Sequence, residues 1–239
     1  MRNKGFLHPA TFFFLLTIVV VCVSWVGSIY AWGHVQNLLS AEGLRWLLRY
    51  TGDCFTRSSV TGAMLLLFLG GGLCMHSGLL DACYRLKTRQ RKLSQKERRG
   101  LFYAWIVGGI YALFWVFLAW GPINLVRSST GSLSDSPLAD GVCYVVSVGL
   151  GLMGTVYGFV TDLYRNDSDV IQGMACLFRY CSVYFVTLFF VIQFFAVLQH
   201  SGLYLFFSFS PLVWKGIYYL CCLFPLWYCR IGKNKLIKY

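Results

Sequence analysis

The stretch TFFFLLTIVVVCVSWVGSIYA, residues 11–31, decides the fold class of this chain. No charged residue interrupts it, and about 20 apolar residues are enough for a helix to cross the roughly 30 Å of bilayer hydrocarbon. The run is too long for the apolar core of a cleavable signal peptide, and no convincing small-residue cleavage site comes after it. It therefore predicts a retained transmembrane helix.

The rest of the composition agrees with a membrane location. The 239 residues are 57% hydrophobic and only 13% charged, with a mean hydropathy of +0.61, whereas a soluble domain is about 25% charged. We therefore expect an all-α, polytopic membrane protein, with one integral membrane domain over residues 1–239. The apolar runs predict about six transmembrane helices, at about 11–31, 60–80, 101–120, 139–160, 180–198 and 205–229.

Basic residues predict the orientation of these spans. The loop at 85–99 holds eight lysines and arginines against one acidic residue: Arg85, Lys87, Arg89, Arg91, Lys92, Lys96, Arg98 and Arg99, with Glu97. Short loops rich in Lys and Arg stay cytoplasmic, so the N- and C-termini are expected on that side as well. The net charge of +12 is then explained by topology and by contact with anionic lipid headgroups. No nucleic-acid partner is expected.

Residues 35–50 have apolar side chains at helical spacing, with Glu42, Arg45 and Arg49 on or near a polar side. This pattern predicts an amphipathic helix that lies along the membrane interface. Packing of the same helix on a partner subunit is the alternative that the sequence leaves open.

One tetrapeptide occurs twice: His76-Ser77-Gly78-Leu79 ends one apolar run, and His200-Ser201-Gly202-Leu203 ends another. The predicted topology places the two copies at opposite membrane faces, which indicates an inverted repeat of the kind found in secondary transporters. His76, Ser77, Gly78, His200, Ser201 and Gly202 are therefore candidate substrate-path residues. In the alternative interpretation, each His caps a helix end and Ser and Gly make the turn.

Few other residues suggest chemistry. Arg179 is the one charge near the inner part of a span, where it either serves a function or extends to the headgroups. Asp169 could bind a cation, although helix capping is favoured. Most of the ten cysteines lie within apolar runs, with Cys54 away from a predicted span, so no internal disulfide framework is expected. The glycines from Gly149 to Gly158 suit close helix packing. No metal site and no catalytic cluster is predicted.

These segments resemble the AbgT family, the p-aminobenzoyl-glutamate transporters of bacterial inner membranes. The similarity rests on motifs in the family's order: His8-Pro9-Ala10-Thr11, Val35 to Leu44, Gly71-Gly72-Leu73, the first copy of the tetrapeptide (His76 to Leu79), Glu97 to Leu101, Thr130 to Leu133 with Ser136-Pro137, Tyr157-Gly158, Asn166 to Val170, and Gln193-Phe194.

The resemblance implies a dimeric carrier with inverted repeats and re-entrant hairpins. It also implies import of p-aminobenzoyl-glutamate or export of sulfonamide antimetabolites, driven by an H⁺ or Na⁺ gradient without a bound cofactor. Family chains are expected to be about twice as long as this one. In this sequence no family hairpin motif comes after either copy of the His-Ser-Gly-Leu tetrapeptide, each of which we call a corner. One alternative is therefore a shortened, non-transporting scaffold or regulatory subunit. A partner chain could also supply the missing elements, and a membrane-embedded enzyme is the third class considered.

Overall fold

The structure is a computed structural model that describes residues 8–88, 93–120 and 137–236, the side chains of 137–140 and 227–236 excepted. Every regular element among these residues is helical. In chain order they are α1 (Pro9–Ile29), α2 (Ala41–Thr56), α3 (Ser59–His76), α4 (Leu79–Thr88), α5 (Gln95–Trp120), α6 (Pro137–Val160), α7 (Asp167–Tyr180), α8 (Ser182–His200), a 3-10 helix (Leu203–Phe207) and α9 (Pro211–Leu236).

Five helical stretches within the described ranges are long and apolar enough to cross a membrane: Pro9–Ile29, Ala41–His76, Gln95–Trp120, Gly141–Val160 and Ser182–His200. A shorter apolar helix lies at Pro211–Leu226. Only 11% of the apolar window of α5 is buried, so its large apolar side chains remain exposed. Surfaces of this extent are stable in contact with lipid rather than water. The chain is a multi-pass, all-helical membrane protein.

Short polar residues set where the first two helices begin. Nδ1 of His8 accepts a hydrogen bond from the Ala10 backbone N–H at 3.2 Å, ahead of α1. Oγ of Ser40 accepts from the Gly43 N–H at 3.1 Å and caps α2. Because Ser40 is the N-cap, the helix expected over 35–50 begins at Ala41 and ends at Thr56.

Other boundaries also differ from the sequence-based expectation. The helix expected at 180–198 begins at Ser182, after a break at Cys181, and the one expected at 205–229 begins at Pro211, a residue whose fixed φ suits a first turn. The basic segment at 85–99 contributes to the end of α4 and the start of α5. Several residues on which the sequence-based predictions rest lie outside the described residues or side chains: Arg2, Lys4, Arg89, Arg91, Lys92, Thr130 to Ser136, Arg230, Lys233, Lys235 and Lys238.

Contacts divide the chain into two compact units, Met1–Gly62 with Cys181–Tyr239, and Ala63–Tyr180. In the first unit α1 and α8 pack side by side and in the same direction. Phe13 contacts Phe194 at a ring distance of 5.7 Å, and Val20, further along α1, lies in one buried cluster with Val197. The connection from α1 to α2 returns over this pair, where Leu38 is fully buried.

In the second unit, α6 packs extensively on α5 and also approaches α3 closely. A Cβ added at Gly154 would lie 2.8 Å from the Cys74 backbone nitrogen, and one at Gly70 would collide with the backbone of Ser147. The hydroxyl of Ser147 donates to the Leu66 carbonyl and accepts from the Gly70 N–H. Glycine at these positions lets the two backbones meet, which is the tight packing expected from the glycine spacing.

Candidate functional site

The first corner joins α3 to α4. Gly78 has φ of +78°, a left-handed conformation that glycine adopts at helix ends without a Cβ clash. Oγ of Ser77 donates to the Cys74 carbonyl at 3.2 Å and accepts from the Leu79 N–H at 3.4 Å. Together these bonds satisfy groups at the end of one helix and the start of the next.

A tyrosine from the α6–α7 connection covers the first corner. The Tyr164 ring is parallel to the ring of His76, with centroids 5.7 Å apart, and its hydroxyl lies 3.3 Å from His76 Nδ1. The same hydroxyl donates to the Leu73 carbonyl at 3.3 Å. Burial raises the pKa of Tyr164 to about 12. The ring occupies space left by Gly158 and Gly173, where any Cβ would collide with it.

The second corner, at the end of α8, repeats the first bond for bond. Gly202 has φ of +76°. Oγ of Ser201 donates to the Leu198 carbonyl at 3.0 Å and accepts from the Leu203 N–H at 3.4 Å. Ser77 makes the same two hydrogen bonds at the first corner, one to the carbonyl three residues earlier and one from the N–H two residues later. The tetrapeptide therefore encodes a defined turn, as the helix-ending interpretation expected.

The surroundings of the second corner are different. The ring of His200 stacks on Trp46 of α2, with centroids 3.8 Å apart and planes within 3°. The Gln36 N–H donates to the Ser201 carbonyl at 3.0 Å, and a Cβ at Gly202 would collide with the His34 carbonyl oxygen. The loop before α2 is thus fixed directly onto the turn.

An open groove of about 480 Å³ lies beside this second corner. Its lining is largely polar or aromatic: Gln36, Trp46, Cys54, Ala196, Gln199, His200 and Tyr204. Side-chain amides, a phenol and an imidazole can exchange hydrogen bonds with a polar solute, and the Trp46 ring offers a stacking surface. Of the six candidate substrate-path residues, His200 is the one that lines this groove.

The remaining candidates have structural partners. Arg179 is exposed in the last turn of α7, outside the helices long enough to span, and donates to the Gln172 carbonyl at 3.1 Å. Asp169 accepts from the backbone N–H groups of Arg165 and Asn166 at 2.9 and 3.1 Å, and these bonds hold its pKa below the usual value. Asp169 therefore acts as a helix cap.

Within the described ranges, no group of three or more His, Cys, Asp or Glu side chains is placed to hold a metal ion.

Sequence reasoning missed Tyr164 and Trp46. Each stacks on one corner histidine, yet they lie far from it in sequence, and neither stands in a motif with it. The position of Tyr164 had one sequence signal, which is Gly158. A glycine near the end of a helix leaves room for an aromatic ring, and Tyr164 comes six residues later. Trp46 carried no such signal.

The fold defines the class of this protein: a polytopic, all-helical membrane protein. The model described as "AbgT putative transporter family" matches residues 84–210, more than half of the sequence. The chain belongs to the AbgT family. This is a family of transporters and not of enzymes.

Two solved structures share the fold. The YdaH transporter of Alcanivorax borkumensis superimposes with a TM-score of 0.74 at 16% identity, covering 88% of this chain and 74% of that chain. MtrF of Neisseria gonorrhoeae, described with a class of antimetabolite efflux pumps, gives a TM-score of 0.74 at 16% identity, covering 84% and 70%. No curated protein matches the sequence. Both alignments extend over more than one half of the solved chain.

Proposed function

We propose that the chain is an AbgT-type secondary transporter that carries p-aminobenzoyl-glutamate, related folate fragments or antimetabolites. The single observation that carries this proposal is the family match, which extends from α4 to just beyond the second corner, over residues 84–210. The resemblance of the fold to YdaH and MtrF supports it. Secondary transporters of such folds work by alternating access between the two membrane faces.

The proposal assigns the substrate path to His76, Ser77 and Gly78 and to His200, Ser201 and Gly202. The two corners have the same turn geometry in spite of their separation in sequence. This repetition supports descent from an inverted repeat, in which a pair of equivalent elements serves the two membrane faces. Arg179 remains a proposed charge near the membrane face rather than a path residue.

The proposed location is the bacterial inner membrane, with both termini in the cytoplasm. The parallel direction of α1 and α8 supports a topology in which their C-terminal ends share one face. By the excess of Lys and Arg, the basic ends of α4 and α5, with Lys87, Arg98 and Arg99, would contact anionic headgroups on the cytoplasmic side. An H⁺ or Na⁺ gradient would drive transport, and a homodimer or a second chain would complete the carrier.

The test is uptake of radiolabelled p-aminobenzoyl-glutamate by proteoliposomes under imposed H⁺ and Na⁺ gradients. We expect gradient-dependent accumulation, reduced at least fivefold by His200→Gln. His34→Asn is the matched control, because His34 is an exposed loop histidine with a left-handed φ of +70°, which asparagine tolerates. The proposal would be contradicted by equal flux into vesicles with and without the protein, provided that circular dichroism shows the protein to be folded.

A non-transporting scaffold or regulatory subunit is the second candidate. The short elements after the two corners favour it: the ten-residue α4 after the first and a five-residue 3-10 helix after the second. It expects no accumulation by the chain alone, but restored flux when a second membrane protein isolated with it is added to the vesicles. Flux by the purified chain would exclude this candidate.

A further inference from the structure

Helix α2 runs antiparallel to α8 over most of its length. The Trp46 ring stacks on His200 at 3.8 Å. One and a half turns later, Nε2 of Gln193 donates to the Thr51 carbonyl at 2.5 Å. Near the end of α2, the Phe55 ring lies 5.5 Å from that of Phe189. Rising residue numbers on α2 therefore match falling numbers on α8.

This arrangement brings the end of α2 to the middle of the bilayer. Helix α8 has 19 residues and is long and apolar enough to cross a membrane, with a length of about 28 Å at 1.5 Å per residue. Phe189 precedes His200 by 200 − 189 = 11 residues, or about 16 Å along the axis. Phe55, which packs on Phe189, therefore lies near half depth, and its neighbour Cys54 lies close to the same level.

The outer face of α2 is charged. Arg45, Arg49, Asp53 and Arg57 succeed one another at a spacing of four residues, which places them on one side of the helix. Asp53 and Arg57 are 3.9 Å apart, and their side chains are 49% and 82% exposed. Arg45 and Arg49 are exposed and have no carboxylate partner among the described residues, although Arg49 lies over the Tyr50 ring at 5.6 Å.

The groove beside the second corner, whose lining combines apolar surface with amide, phenol and imidazole groups, runs along the same helix. Its lining includes Trp46, at the level of that corner, and Cys54, eight residues or about 12 Å further along α2. Charged side chains at this depth are costly against hydrocarbon and are found where a protein lines a water-filled cavity. A partly exposed groove with amide, phenol and imidazole groups beside the charged stripe supplies such a cavity.

We infer that α2 and the groove beside the second corner form a water-filled vestibule that extends to Cys54 and, through Arg45 and Arg49, favours anions. The inference requires that α8 spans the membrane, but it does not require that the chain transports a solute.

The test is thiol labelling of the full chain in lipid nanodiscs, in which both membrane faces meet water. An anionic and a cationic methanethiosulfonate, both water-soluble, are compared, and labelling of each native cysteine is monitored by peptide mass spectrometry. Cys22 is the internal control, because it is exposed but lies in the uncharged apolar run of α1. We expect Cys54 to react with the soluble reagents at least tenfold faster than Cys22.

The anion preference has its own test. In water, a unit charge about 8 Å away changes the reaction rate of a singly charged reagent about twofold. Because the anionic and the cationic reagent are affected in opposite directions, the ratio of the anionic to the cationic rate changes about fivefold. We expect Arg49→Gln to lower this ratio at Cys54 by about that factor at low ionic strength. Arg98→Gln, at the start of α5, is the matched control and should leave the ratio unchanged.

Two results would overturn the inference. One is labelling of Cys54 by a lipid-soluble maleimide but not by either charged reagent, which would place α2 against lipid or a second protein. The other is an anion-to-cation ratio that Arg49→Gln leaves unchanged. A chain that shows no flux in proteoliposomes can still show the expected labelling of Cys54. Failure of the proposed transport function is therefore distinguishable from failure of this inference.

Discussion

The two His-Ser-Gly-Leu corners have the same backbone and different environments. Gly78 and Gly202 adopt φ of +78° and +76°, and Ser77 and Ser201 make matching hydrogen bonds. At the first corner no atom of the described residues lies within 4 Å of a Cβ added at Gly78, whereas the loop carbonyl of His34 occupies that space at Gly202. The turn is thus a local property of four residues, while its packing depends on the neighbours that the rest of each unit brings to it.

The largest difference between the corners is expected from alanine at the two glycines. At Gly78, alanine costs only the left-handed conformation, about 1 kcal/mol. At Gly202 the backbone collision adds to this, for a total of about 3 kcal/mol. The free energy of unfolding, measured by SDS titration in mixed micelles with circular dichroism, checks both. Gly109→Ala is the control, because Gly109 is helical and a Cβ there meets no other group within 4 Å in the part of the chain that the structure describes. Equal losses at Gly78 and Gly202 would contradict the comparison.

The next-largest effect on stability is expected from Trp46, the aromatic residue that packs on the second corner. Trp46→Leu removes the ring stacked on His200 while keeping an apolar side chain, and we expect a loss of about 2 kcal/mol in unfolding free energy. Trp105→Leu, at an exposed position on α5, is the matched control with little expected change. If the Trp46 variant unfolds like the wild type, the loop and not the ring holds the second corner in place.

The serines of the two corners, Ser77 and Ser201, should contribute equally to the free energy of unfolding, because their hydrogen bonds are the same. Ser77 and Ser201 are 4% and 0% exposed, and each hydroxyl both donates and accepts a hydrogen bond. We expect Ser77→Ala and Ser201→Ala to lower the unfolding free energy by about 1 kcal/mol each. The same SDS titration measures both. A difference of more than about 1 kcal/mol would mean that the two turns are equivalent in geometry but not in energy.

The smallest expected effect is a pH dependence in the alkaline range that comes from the first corner. The pKa of Tyr164 is raised from 10.0 to about 12, so the folded protein holds the phenol proton more tightly than the unfolded chain does. The resulting stabilisation is complete below pH 10 and is lost as the pH rises towards 12. Thermal midpoints from pH 8 to 11 should therefore fall less steeply in Tyr164→Phe than in the wild type. Parallel curves would rule out this contribution.

The sequence predicted the elements better than their arrangement. The apolar runs indicated transmembrane helices because an uncharged stretch of bilayer length has no other stable state in lipid. The amphipathic pattern of Glu42 to Arg49 correctly indicated a helix with a polar face. It could not indicate the partner of the opposite face, because a helix beside α8 and a helix on the membrane surface need the same periodicity.

The sequence by itself determined that this chain is a helical membrane protein, and it identified the turn at each corner, because hydrophobic length and a Ser-Gly pair act through local physics. Only the tertiary structure decided that Tyr164 covers His76, that Trp46 stacks on His200, and that α2 runs antiparallel along α8. These contacts join residues from 46 to 200 and from 76 to 164. They depend on how whole helices pack, which no stretch of sequence specifies alone.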